Sequence, residues 1–180
     1  MPSYLHRKSG PDAGFTLVEL LIVMCVVGVL ASLAVAGYRH SRAKAGEAVA
    51  VAGLQAINQA QFSFAQTCGN QQYSPTLVGL GIPAPTTGHA FLSPDMAADP
   101  IVKSGYQFVL GGTPSTEPRT ACNGVVTVAA YQVTADPTAL GVSGIQFFGT
   151  NTDRVVYADT ATYAGNMPET GAPGHGVEVK

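Results

Sequence analysis

Charge is what this chain has least of: Asp, Glu, Lys and Arg make up only 11% of its 180 residues, where an average soluble domain carries about 25%. The deficit proves to be local. An excess of positive charge is missing too, since nine Lys and Arg against eleven Asp and Glu leave a formal net charge of −2. That removes the electrostatic basis for gripping phosphate backbones and argues against a nucleic-acid partner. Catalytic signatures are also missing. No G-x-S-x-G, Walker A, H-E-x-x-H or paired C-x-x-C occurs, and His6, His40, His89 and His175 stand isolated in sequence, so no enzyme is expected. There is no internal repeat, and the length suffices for one core but is short for two. The 21 Gly and 12 Pro alternate with apolar strand-like runs, which fits a turn-rich β region better than a disordered chain.

What is present begins with residues 20–38, LLIVMCVVGVLASLAVAGY, which carry no charge at all. At about 1.5 Å per residue this run nearly spans the roughly 30 Å hydrocarbon core of a bilayer. A polar leader with His6, Arg7 and Lys8 precedes it, and Arg39, Arg42 and Lys44 follow. Positive charge on both flanks gives no orientation by counting. Glu19 interrupts the otherwise apolar start Phe15-Thr16-Leu17-Val18. A carboxylate there is costly in lipid, so it is expected either to stay hydrated at headgroup level or to have a partner. Ala34-Val35-Ala36 followed by Gly37 also reads as an A-x-A site. Cleavage after Ala36 would release a soluble secreted binding domain, although the apolar run is long for an ordinary signal and is preceded by an acid.

Beyond Tyr38 the pattern turns amphipathic. Ala43, Gly46, Ala50, Gly53, Ile57, Ala60 and Phe64 recur at three- and four-residue spacing, with Lys44, Glu47, Gln55 and Gln59 assigned to the solvent face. Cys68-Gly69-Asn70 offers a stop. One continuous helix over residues 15–66 would be on the order of 78 Å long. Residues 73–100 read as a Gly/Pro-interrupted surface loop. Strands are expected at 105–110, 125–135, 145–148 and 154–158, with a hairpin turn at 149–153 and Asp136-Pro137 ending the longest strand. They form an antiparallel sheet against the helix, an α+β fold. The tail after Thr160 is expected to be loosely held.

Gly14-Phe15-Thr16-Leu17-Val18-Glu19, after a short basic leader and before some twenty apolar residues, resembles the class III signal of type IV pilins and their relatives, the type II secretion pseudopilins. The resemblance implies cleavage between Gly14 and Phe15 by a prepilin peptidase, N-methylation of Phe15, and a role for Glu19 in neutralising the N-terminal amine of a neighbouring subunit. In the low-dielectric core of a filament an unpaired charge is costly, so the acid becomes an assembly instruction. The organisation implied is leader 1–14, a membrane-spanning and filament-core half of the helix 15–38, an amphipathic half 39–67, and a β domain 68–180. Self-assembly, an inner-membrane assembly platform and a motor ATPase are the implied partners. The location implied is a single pass of the inner membrane with the C-terminal domain outside the cytoplasm, and then the filament. Many pilins carry a proline near the middle of this helix, where this chain has Ala36. A weaker resemblance extends through Tyr73-Ser-Pro-Thr-Leu77, Gly105-Tyr-Gln-Phe108 and Tyr131-Gln-Val-Thr-Ala-Asp-Pro137.

Cys25 lies in the apolar run and reads as a packing residue, which leaves Cys68 and Cys122 as a candidate disulfide in the exported part. On the chain-entropy model such a bridge stabilises by about 4 kcal/mol. The family's usual bridge closes a loop near the chain end, whereas this one would tie the helix end to the sheet. Asp95, Asp99, Asp136, Asp153 and Asp159 raise a calcium hypothesis because some pseudopilins bind that ion. They do not follow EF-hand spacing, and turn and cap roles are the expectation. Phe15, Tyr38, Phe62 and Phe64 sit at helical spacing and are expected to pack rather than conduct electrons.

Overall fold

The computed structural model describes residues 14–179. Residues 1–13 of the leader, with His6, Arg7 and Lys8, lie outside the described residues, as does Lys180. The chain divides into two compact units, one up to Arg39 and one from His40 onward.

The first unit holds the opening part of α1 (Leu17–Thr67). Leu, Val, Ile, Met and Ala without a proline satisfy every interior backbone group within the helix, the condition for standing in an apolar medium. None of the apolar window is buried. Leu17, Leu21, Met24, Val29 and Leu33 are all more than half exposed.

In the second unit the remainder of α1 packs on a six-stranded sheet: β1 (Ile101–Lys103), β2 (Tyr106–Gly111), β3 (Gln132–Pro137), β4 (Phe147–Asn151), β5 (Val156–Asp159) and β6 (Val177–Glu178). Each strand pairs antiparallel with the next, in sequence order. The register sets Phe108 opposite Ala135, Leu110 opposite Val133, Ala135 opposite Phe148 and Phe148 opposite Ala158, which puts one apolar row on a single face. Ala50, Leu54, Ile57, Ala60 and Phe64 of α1 join these in one buried cluster. Each large side chain fully buried there contributes roughly 1.5–3 kcal/mol. Gly53 is required by the close approach, because a Cβ there would stand 2.8 Å from the Phe108 ring.

The buried helix face also carries amides, all partnered. Asn58 Nδ2 donates to Thr150 Oγ1 (2.9 Å) and its Oδ1 accepts from the Tyr131 hydroxyl (2.9 Å). Gln61 exchanges bonds with the Ser74 backbone at 2.7 and 2.9 Å. Such directional contacts fix the register of helix on sheet where apolar packing alone would permit sliding.

Four expectations are corrected. Glu47, assigned to the solvent face, is only 5% exposed, because it accepts from the Ile145 amide at 3.0 Å and from Lys44 at 2.8 Å. Residues 73–100 contain a short helix, α2 (Leu77–Gly81), and a 3-10 turn at Pro94–Met96. The α2 end is capped by Thr76 Oγ1 and by Asp99, whose Oδ2 accepts from Leu77 (2.5 Å) and Val78 (3.2 Å). The strand expected at 125–135 begins only at Gln132, because Val126 and Val128 make isolated bridges to Thr120, Pro114 and Tyr73 instead of joining the ladder. Finally, the tail after Thr160 is held. Tyr163 and Met167 are buried on the sheet face opposite α1, over Gly149, where a Cβ would meet Met167 Sδ at 2.8 Å. Asn151 Nδ2 donates to the carbonyls of Pro168 and Gly171, and β6 closes the sheet.

Candidate functional site

The residues singled out at the N-terminus are contiguous, so their geometry is that of a helix beginning. Gly14 lies just ahead of α1 with nothing within 4 Å of a Cβ placed on it, and Phe15 is 80% exposed. Gly14 and Phe15 are thus both exposed among the described residues. Leu17 is the first helical residue, which makes Thr16 the capping position and Glu19 the third residue inside. Glu19 Oε2 accepts from the Thr16 N–H (2.9 Å) and the Thr16 hydroxyl (2.8 Å), while the Glu19 N–H donates to Thr16 Oγ1 (3.2 Å). This is a reciprocal capping box, with the acid placed at the positive end of the helix dipole. Thr16 is the residue missed from sequence. The signal was present: Thr-x-x-Glu ahead of an apolar run is a capping-box pattern. The chemical result is a carboxylate turned back toward the Phe15 end of the chain, where cleavage would leave an amine.

Following the cap, the exposed apolar part of α1 is long and apolar enough to cross a membrane by length and composition. Cys25 within it is exposed and unpaired. In the second unit Cys68 and Cys122 are joined, with Cα atoms 4.9 Å apart. The Cys122 N–H also donates to the Cys68 carbonyl at 3.0 Å. The bond links the residue after the last turn of α1 to the loop that precedes β3.

The five aspartates are dispersed. Asp99 caps α2, and its burial raises its carboxyl above the usual range despite two amide donors. Asp95 pairs with Lys103, whose hydrogen bond lowers it. Asp136 accepts from the Thr162 hydroxyl at 2.7 Å, yet burial raises it. Asp153 accepts from the Gly171 amide at 2.6 Å. Asp159 is lowered by its 2.7 Å contact with His175 and by the Thr160 amide. Among the described residues no three His, Cys, Asp or Glu side chains gather in a metal-holding group. The aromatics also separate: Phe64 packs edge-on against Phe91, while Phe62 lies under the Arg154 guanidinium, 4.6 Å from its ring centre.

Three comparisons bear on this geometry. The prokaryotic N-terminal methylation motif matches residues 11–35. The chain is 35% identical over 60 residues to the type IV major pilin protein PilA of Myxococcus xanthus, covering 33% of this chain and 27% of that protein. It is 33% identical over 102 residues to the type II secretion system core protein G of Escherichia coli, covering 56% of this chain and 64% of that protein. The chain thus spans less than two thirds of either relative. No solved structure matches. The methylation motif falls on the capped start of an exposed apolar stretch, and the two matches extend beyond it, so together they support a likeness of this chain to the pilins and pseudopilins.

Proposed function

We propose that the chain is a structural subunit of a type IV pilus or pilus-like filament. A prepilin peptidase would cut between Gly14 and Phe15 and methylate the new N-terminus. The observation that carries this reading is the capped Glu19 at the head of α1, whose apolar window has no buried residue. Exposed apolar surface on that scale needs either lipid or other subunits around it. Before assembly the helix rests in the inner membrane, crossing it once, with the β domain outside the cytoplasm. After extraction the same surface is buried among neighbours. Moving it from lipid to protein has little hydrophobic gain, so packing and the pairing of Glu19 with a neighbour's N-terminal amine must bias assembly. An assembly platform and a motor ATPase supply the work. The Cys68–Cys122 bond forms in the oxidising compartment the β domain enters.

The second reading is a type II secretion pseudopilin. It is favoured by the extent of the match to core protein G, which runs well past the N-terminal motif. Long surface fibres containing the chain support the pilin; loss of protein secretion on deletion supports the pseudopilin. Both rest on one processing event, and the intact mass and N-terminal sequence of the native chain test it. A start at N-methyl-Phe15 is expected. A start at Gly37 would mean a secreted soluble binding domain cut after Ala36 and would end the filament reading.

A further inference from the structure

Residues 138–145, between β3 and β4, form a turn closed on itself. The Val142 and Ser143 amides donate to the Ala139 carbonyl at 3.0 and 2.9 Å, and the Gly141 amide donates to the Gly144 carbonyl at 2.8 Å. The Ser143 hydroxyl donates to the same Ala139 carbonyl at 3.0 Å. The turn is seated on α1 at two points. The Ile145 N–H donates to Glu47 Oε1, and Gly46 lies so close that a Cβ there would stand 2.4 Å from the Ser143 carbonyl oxygen. What this fixed turn presents outward is aliphatic: Leu140 is 64% exposed, Val142 66% and Ile145 48%. Aliphatic side chains exposed together in this way mark a surface for interaction.

Beside it lies a half-open groove of about 500 Å³, lined by Arg42, Ala45 and Val49 of α1 together with Ser104, Gly105 and Val142. Its lining holds one cation and no acid. Glu47, next in sequence to the groove-lining Gly46, is buried and paired with Lys44, Asp95 is paired with Lys103, and Asp136 lies on the other sheet face under Thr162. Arg42 is four residues past Tyr38, the last residue of the uncharged run.

We propose that this turn and groove rest on an anionic phospholipid surface, with Leu140 and Val142 at the boundary of headgroups and acyl chains and Arg42 against lipid phosphates. Aliphatic tips beside a cation, with no competing acid, are the chemistry that interfacial segments use. The groove is also lined by Arg42, Ala45 and Val49 of α1, which begin four residues beyond the apolar run. The inference rests on the reading of that run as membrane-inserted.

The test uses the full chain in phosphatidylcholine vesicles containing phosphatidylglycerol, with nitroxide-labelled lipid as quencher. A bimane fluorophore is placed in turn on native Cys25, on a Val142→Cys variant, and on a Thr116→Cys variant, the last two in a Cys25→Ser background. Thr116 belongs to the exposed loop that Arg119 ties to Asn70 beyond the far end of α1. Quenching at position 142 should exceed that at position 116 by about twofold or more, and should fall when Arg42→Gln is added or when phosphatidylglycerol is omitted. Quenching at Cys25 with position 142 no better than position 116 overturns this inference and leaves the membrane reading standing. An unquenched Cys25 overturns both. A signal at position 142 that follows the protein-to-lipid ratio and ignores the quencher would assign the turn to a second copy of the chain, against the lipid surface.

Discussion

Glu47 is the most direct test of how the helix holds the sheet domain. Its Oε1 accepts from the Ile145 amide at 3.0 Å and its Oε2 from Lys44 at 2.8 Å. Burial pushes the carboxyl up, but the Ile145 amide and the Lys44 ammonium outweigh it, so the group titrates below its ordinary range. Two substitutions separate these effects. Glu47→Gln keeps an oxygen for Ile145 and loses the charge together with the acceptor that Lys44 uses; the Lys44 side chain is 48% exposed, so solvent screening limits that loss to roughly 0.5 kcal/mol. Glu47→Ala strips the amide of its acceptor as well, which costs about 1–2 kcal/mol more. For a unit of this size that difference lowers the melting temperature by about 4 °C.

The pH dependence follows from the sign. A folded pKa below the unfolded one means the charge contribution is fully present above the unfolded value of about 4.5 and is lost as pH falls through the folded value. The gap between native chain and Glu47→Gln should therefore be present at neutral pH and close in acid. Because other carboxylates titrate in both proteins, the difference between them is the quantity to follow. Thermal unfolding of the full chain in detergent micelles, read by circular dichroism, measures it. A Glu47→Gln variant as unstable as Glu47→Ala, or a gap that persists in acid, would refute the assignment of the Ile145 bond as the larger contribution.

The remaining predictions concern other links in the chain. Replacing Cys68 and Cys122 by Ser should destabilise the second unit by about 4 kcal/mol on the chain-entropy model for a 54-residue separation; denaturant titration under oxidising conditions checks this, and a native midpoint would count against it. Glu19→Gln keeps the acceptor that Thr16 uses and removes the charge, so processing and insertion should persist while filament yield collapses. Thr16→Val should instead leave filament yield close to native. If the two variants fail equally in sheared-fibre yield, the role of Glu19 is local capping. Tyr131→Phe leaves Asn58 Oδ1 without its 2.9 Å donor and should cost about 1–2 kcal/mol in the same unfolding assay.

Much of the fold was legible because it rests on period and punctuation. The small and apolar stripe from Ala43 to Phe64 recurs at helical spacing, and Ala50, Ile57 and Phe64 are fully buried. What was not legible depends on partners distant in sequence. Glu47 looks like a solvent residue until the Ile145 amide arrives from 98 positions away, and the bond that holds Asn58 comes from Thr150, 92 positions away. Val125, Val126 and Val128 carry strand propensity, but pairing of Tyr73 with Val128 and the bond at Cys122 hold this stretch out of the ladder. The Gly- and Thr-rich tail gives no periodic signal, so the burial of Tyr163 over Gly149 emerges only in three dimensions. Thr16 is different in kind, since its pattern is local and readable from four residues.

That local pattern bears on how one acid can serve two ends. Within the chain Glu19 engages Thr16 through Oε2 alone, leaving Oε1 without a donor among the described residues. A carboxylate accepts through both oxygens, so taking up a second donor does not require the first to be released. A neighbour's N-terminal amine, as proposed, would then add to a helix end that is already closed. The alternative, an acid that must uncap its helix to pair, would set assembly against helix integrity at the same residue. The capping box removes that conflict and also holds the carboxylate in place before any partner arrives, which lowers the ordering entropy lost on pairing.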